Sequence, residues 1–267
     1  MSYEIYTDYD SGNNALPVLY NDKAIGAGTR MLLDALDPNC YPGSVLPVTG
    51  LAAGASLNNL VNDLPEIKVG SIALAALGTA GLKFNGTSAQ ALKMPARAKL
   101  DMNSVTHFGV SIWLKPAAKT IASGWDSPAS HFSSPSPAGT AWYIQRNFSN
   151  PTRYVCAVAA SSGVVDVAQD ELAWIFIDAY IDNVAKTSRI DLYKNGLLAV
   201  AGASVALPAG WNPAIANDVI LGSNPAYAGF WAGQIARFSI EDFTAPLAKT
   251  VAKFLEDEAA QGLGRFS

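Results

Sequence analysis

The sequence predicts an all-β fold, a two-sheet antiparallel β-sandwich, on three observations. Short apolar runs that alternate with polar residues recur along most of the chain. Turn-forming pairs such as Asn85-Gly86 and Asn195-Gly196 stand beside or between them. Helical periodicity does not alternate with these runs, which excludes a parallel sheet built from βαβ units. Half of the 267 residues are hydrophobic and 15% are charged, so a sizeable core is available and little charge covers the surface. Some of that surface is expected to be covered by partners.

Three parts are expected: an extended arm over 1–28, a β-sandwich over 29–243, and a C-terminal helix within 244–267 packed on the sandwich. The arm is polar and aromatic by turns, with Asn13-Asn14, Pro17 and no sustained period. It would lie along its own sandwich or dock on a neighbouring subunit. Arg30 to Leu36 reads as the first strand, ended by the dense turn signals Asp37-Pro38-Asn39 and Tyr41-Pro42-Gly43. The stretch from Leu46 to Ala80 reads as connector, with Leu57, Leu60, Val61 and Leu64 spaced as one face of a short helix. Leu82 and Phe84, the Asn85-Gly86 pair, and Ala91 to Met94 read as a hairpin. His107 to Lys115 alternates cleanly, with Phe108, Val110, Ile112 and Leu114 on one face, Trp113 on the other, and Pro116 as its stop.

Further strands are expected at Trp142 to Arg146, Arg153 to Ala160, Val164 to Val167, Leu172 to Ile181 and Ser188 to Lys194. Others are expected at Leu197 to Ala203, Val219 to Leu221 and Phe230 to Ile240. Asn195-Gly196 suits a type I′ turn, and Gly233 suits a bulge or a close approach. At the end, Thr244 reads as the cap of an amphipathic helix over Leu247 to Ala260. Leu247, Val251, Phe254 and Leu255 would face the sandwich, the Lys and Glu side would face water, and Gly262 would stop the helix.

The 18 basic and 22 acidic residues give a formal charge of -4 with no basic cluster, so nucleic acid is not an expected partner. The longest apolar stretches, such as Ile72 to Leu77, fall well short of the roughly 20 residues of a membrane helix. The opening MSYEIYTDYDSGNN carries acidic residues before any apolar run, unlike a secretory leader, so folding in the cytoplasm is expected. Cys40 and Cys156 are too few for a disulfide framework or a metal site, and stand either as two free thiols or as one bridge.

Candidate chemistry is sparse. Sugar hydrolysis needs two carboxylates facing one groove. Glu241-Asp242 are adjacent, hence on opposite faces of a strand, and Asp170-Glu171 lie in a turn. His107 and His131 lack a nucleophile motif. Asp8, Asp10 and Asn13 resemble the start of a calcium loop that no Glu closes. No catalytic residue, metal or cofactor is therefore expected. Aromatic rings next to Gly, Pro, Ser or Asn in predicted loops are the candidates for glycan or partner contacts: Trp125, Trp211 and Tyr227.

The order of motifs resembles the concanavalin A-like, laminin-G-like jelly-roll domains of bacteriophage virion proteins, from about Met31 to Phe254. MLLDALDPNCYPG resembles their opening strand and Asp-rich turn, with Cys40 where Ser is usual. GLKFNGTSAQAL, FGVSIWLKP, RIDLYKNG and FWAGQIARFSIEDF resemble four further family motifs in the same order. The segment AWIFIDAYID keeps Trp174 but lacks the two His that are common there, and the Gly50 to Gly81 connector lacks the family's usual signature. The resemblance implies a jelly-roll sandwich and a non-enzymatic virion structural protein of a tail fibre, baseplate, collar or capsid decoration. Its partners would be other virion proteins and itself, as a homo-oligomer and by analogy a trimer, in a virion made in the host cytoplasm. The alternative is a lectin-like protein that binds a host surface glycan; a glycan-cleaving enzyme is the remote third.

Overall fold

A computed structural model of the chain describes residues 25–44, 46–47, 50–61, 67–74, 81–86, 90–95, 105–117, 125–132, 140–147, 153–158, 161–166, 173–207, 218–224, 229–262 and 265. The strands, in chain order, begin with β1 (Thr29–Asp34), β2 (Ser56–Leu57), β3 (Ile67–Val69), β4 (Leu82–Asn85), β5 (Leu92–Met94) and β6 (His107–Pro116). There follow β7 (Trp125–Phe132), β8 (Thr140–Asn147), β9 (Arg153–Val158), β10 (Ser161–Asp166), β11 (Ile175–Asp182) and β12 (Thr187–Lys194). The last are β13 (Leu197–Ala201), β14 (Val205–Ala206), β15 (Val219–Leu221), β16 (Ser223–Asn224), β17 (Gly229–Phe230) and β18 (Ala232–Asp242), before the helix α1 (Val251–Gly262).

These strands form the two sheets of a β-sandwich. The first runs β1-β18-β6-β11-β12-β13, with β4 also along β18 and β14 also along β12. The second runs β10-β9-β8-β7-β15-β5-β3-β2. Among the described residues pairing is antiparallel except where Phe230 of β17 meets Ser127 of β7. Period-two alternation sends Val110, Ile112, Leu114, Ile177, Ile190, Phe238 and Ile240 inward from the first sheet. They meet Leu92, Met94, Ala129, Trp142, Ile144, Val219 and Leu221 from the second. Burial of these side chains is the main favourable term holding the layers together. Trp113 points the other way, as its place in the sequence implies, into a second cluster with Trp174, Phe176 and Ala236 on the outer face of the first sheet.

Several expectations are corrected. Leu82 to Asn85 and Leu92 to Met94 do not form a hairpin: β4 pairs with β18 in one sheet, while β5 pairs with β3 and β15 in the other. Asn85-Gly86, with Gly86 at φ 71°, therefore follows β4 without closing a hairpin. The stretch read as connector contributes β2 and β3, and its Leu51, Leu57, Ile67, Val69 and Leu74 are buried in the core. Leu57 is a strand residue rather than part of a helix face. The stretch around Trp125, read as polar loop, is the eight-residue β7. Its Pro128 falls where the register slips between Asp126 and Ala129, so the missing N–H interrupts no regular ladder.

The helix begins at Val251, not near Leu247. Thr250 caps it through Oγ1, which accepts from the Lys253 N–H at 3.2 Å. Thr244 instead donates its hydroxyl to Asp242 Oδ1 at 2.7 Å, and Leu247, at φ 63°, is 95% exposed. The acidic side is not all in water, since Asp257 and Glu258 are buried while Lys253 and Glu256 stay exposed. Gly262 closes the helix against the Trp113 ring, where an added Cβ would lie 2.1 Å from a ring carbon. Asn195 and Gly196 both take positive φ between β12 and β13, as a type I′ turn requires. Gly233, at φ 147°, lets the backbone approach the Lys115 carbonyl. Cys40 is a buried free thiol, and burial pushes it above the ordinary thiol range. Residues 1–24 of the arm, Asp8, Asp10 and Asn13 among them, lie outside the described residues, while Gly28 accepts from the Asp242 N–H on β18.

Candidate functional site

Trp125 is the described member of the three aromatic candidates; Trp211 and Tyr227 lie outside the described residues. It is the first residue of β7 and is 39% exposed. Opposite it in the ladder stands Asn147 of β8. Trp142 and Ile144 of β8 point into the core, so Tyr143, Gln145 and Asn147 share the outer face with Trp125. From Asn147 to Tyr143 this row extends about 13 Å at the usual rise of a strand. Tyr143 is half-buried, and the buried amide Nε2 of Gln145 has no hydrogen-bond partner among the described residues.

A buried ion pair fixes this corner from beneath. Arg146 donates to both carboxylate oxygens of Asp126, at 3.2 and 2.8 Å, and to the Ala117 carbonyl at 3.1 Å. Its guanidinium lies 5.0 Å from the centre of the Trp231 ring. Both charged side chains are fully buried, and the Ala232 N–H also donates to Asp126. Because Asp126 follows Trp125 and Arg146 precedes Asn147, the pair holds the strand ends that carry the exposed ring. Farther along the same face the cross-strand row runs from Tyr143 through Ser130 and Ile220 to Lys93 and Lys68. The two lysines are exposed neighbours.

The opposite outer face gathers the buried charges that sequence reasoning missed. Arg237 of β18 donates to Glu258 of α1 through Nε at 2.9 Å and through a terminal nitrogen at 2.8 Å, and to Asp34 of β1 at 2.9 Å. Arg265 adds two bonds of 2.8 Å to Asp34, and the Trp113 indole N–H donates to Glu258 at 3.3 Å. Burial opposes charge on Asp34, but the Arg265 hydrogen bond and the two guanidinium charges hold its carboxyl below the ordinary value. Beside this cluster, Asp178 of β11 faces Asp191 of β12 across the ladder. Burial pushes Asp178 up to about 7 despite the Ser111 hydroxyl donating to it at 2.5 Å, and its second oxygen has no partner among the described residues.

Asp178 and Asp191 are the cross-strand counterpart of the carboxylate pair sought along one strand, and they are 1% and 3% exposed. Neither is open to a sugar. His107 pairs with Asp182 at 3.3 Å and stacks on Tyr180, while His131 is buried edge-on to Trp142. Among the described residues no group of three His, Cys, Asp or Glu is placed to hold a metal. No described helix is long and apolar enough to cross a membrane. The wide spacing of Asp34, Arg237 and Glu258 along the chain left no local signal by which to find their cluster.

No protein-family model matches the chain, and no curated protein matches its sequence. Solved structures match its fold. A Trypanosoma rangeli sialidase in complex with 2,3-difluorosialic acid superposes with a TM-score of 0.55 at 12% identity, over 82% of this chain and 33% of the sialidase. The botulinum neurotoxin serotype D binding domain superposes with a TM-score of 0.54 at 13% identity, over 85% of this chain and 52% of that one. The chain thus spans about a third of the sialidase and half of the toxin domain. At such identities the likeness concerns the β-sandwich alone.

Proposed function

We propose that this chain is a non-enzymatic glycan-binding β-sandwich whose contact face is the outer face of the second sheet around Trp125. The observation that carries the reading is the exposed Trp125 side chain at a strand end pinned by the fully buried Asp126–Arg146 pair, on the same face as Tyr143. A flat ring on a well-anchored strand gives a sugar an apolar platform. Lys93 with Lys68 would favour an acidic sugar at the far end. Trp211 and Tyr227 join Trp125 as proposed contacts in the same reading, and the ligand is a host surface glycan.

The test is a glycan array with the native chain, followed by calorimetry of Trp125→Ala. Binding by the native chain, lost at least tenfold in the variant with an unchanged melting temperature, is the expected result. A native chain that binds no glycan rejects the reading. The second reading is a structural component of a bacteriophage virion, in a tail fibre, baseplate, collar or capsid decoration, assembled as a homo-oligomer. The motif order supports it, and so does an exposed apolar strand at the rim of the first sheet. A chain that binds no glycan but associates with itself would favour that role.

A further inference from the structure

The turn between β18 and α1 holds a leucine at a place that disfavours it twice. The Ala248 N–H donates to the Ala245 carbonyl at 2.9 Å, with Pro246 second in the turn and Leu247, at φ 63°, third, the pattern of a type II turn. Glycine or asparagine usually fills that third place, because a larger side chain is strained at positive φ. Leu247 is also 95% exposed, and Pro246 beside it is exposed. Contact with the described residues therefore offsets neither the strain nor the apolar exposure. The chain enters the sandwich against this same turn. A Cβ added at Gly28 would lie 2.1 Å from the Asp242 carbonyl oxygen and 3.1 Å from the Ala248 Cβ, and one at Gly26 would lie 3.4 Å from the Lys249 side chain. The Thr29 N–H donates to the Gly26 carbonyl and the Asp242 N–H to the Gly28 carbonyl, which fixes residues 26–28 alongside the turn.

We propose that the apolar run of the N-terminal arm, Ala15-Leu16-Pro17-Val18-Leu19-Tyr20, folds back over Pro246 and Leu247 of its own chain. The arm is the occupant because it ends at the turn. Leu247 is two residues from Lys249, within about 7 Å of it along the backbone, and residues 19–24 extend up to roughly 20 Å. Asn21-Asp22, a turn-forming pair between the run and Ile25, supplies the reversal that this path needs. So short a tether keeps the run at an effective concentration of about millimolar beside the turn, which favours it over a partner free in solution. The run carries no charge, so covering Leu247 leaves no ion without water, and Pro17 restricts its chain before docking. Burial of Leu247 and of the run offsets the entropy lost in ordering the arm. The contact holds the arm on its own sandwich rather than offering it to a neighbouring subunit.

Limited proteolysis of the full chain with chymotrypsin tests the proposal, with Leu247→Asn as the variant, since asparagine suits positive φ and removes the apolar side chain. In the native chain cleavage after Tyr20 is expected to be slower than after Tyr6 and Tyr9, which precede the run. In the variant cleavage after Tyr20 is expected to quicken about fivefold or more, while cleavage after Tyr6 and Tyr9 stays as it was. Native cleavage as fast after Tyr20 as after Tyr9, or a rate after Tyr20 that the variant leaves unchanged, overturns the proposal. Native protection that disappears on dilution assigns the run to another copy and overturns the same-chain contact. Should Leu247→Asn fail to fold, Leu16→Ser, which leaves the turn intact, decides: faster cleavage after Tyr20 supports the contact, and an unchanged rate overturns it.

Discussion

Arg237 shows how one side chain organises a whole outer face. Its guanidinium is held between Asp34 and Glu258, with all three side chains 1% exposed or less. Removing one member of such a set leaves opposite charges buried without compensation, which costs far more than an exposed ion pair contributes. Arg237→Ala should therefore lose about 3–5 kcal/mol in urea unfolding. A loss under about 1 kcal/mol would mean that water or Arg265 replaces the lost partner. The sequence held no trace of this site, because its members sit on strands and a helix far apart in the chain, and an Arg flanked by Ala236 and Phe238 reads as an ordinary outward residue. Trp125 was singled out for its Ser- and Pro-rich neighbours; it is exposed, but as the end of a strand.

Strands with a long apolar alternation were legible, even where a bulge between Ile235 and Arg237 breaks it in β18. His107 to Pro116, Ile175 to Asp182 and Ala232 to Asp242 fall within three residues of where the pattern put them, because one face of each is filled by the core. β7 was hidden by Pro128, whose cost vanishes at a register slip that only the partner strand reveals. The same limit misplaced β4 and β5: local pattern gives two adjacent strands, while the layer each joins is set by long-range pairing. The helix was legible as an element but not at its start, where Thr250 rather than Thr244 supplies the cap. Its end is set by contact, since Gly262 lies flat on Trp113. Gly262→Ala should push the last turn off the ring, costing about 1–3 kcal/mol in thermal or urea unfolding. Tryptophan emission should shift to the red as Trp113 is uncovered; unchanged emission and stability would show that the helix end shifts freely.

At the scale of the whole molecule, stability should depend on pH with an optimum on the acid side of neutrality. Burial raises Asp178 to about 7 and Glu241 to about 8, from ordinary values of 3.8 and 4.5. Groups raised by folding stabilise fully below their unfolded values, and that stability is lost as pH climbs through the folded ones. Asp34, Asp242 and Asp257 are held below their ordinary value, burial being outweighed by bonds from Arg265, from Arg30 and Thr244, and from Lys249 and Lys253. Their contribution disappears as pH falls below that range. The melting temperature should therefore be several degrees higher near pH 5 than near pH 8.5, and Asp178→Asn should flatten the slope. A flat profile for the native chain would contradict the burial of both acids. The Asp34, Arg237, Glu258 and Arg265 cluster also bears on the order in which the chain is made. Asp34 and Arg237 are synthesised before Glu258 and Arg265, so until α1 docks the strands hold only the Asp34–Arg237 pair of the cluster. A nascent chain stalled before residue 258 would lack the Glu258 and Gly262 contacts on Trp113, leaving that ring open to chaperones.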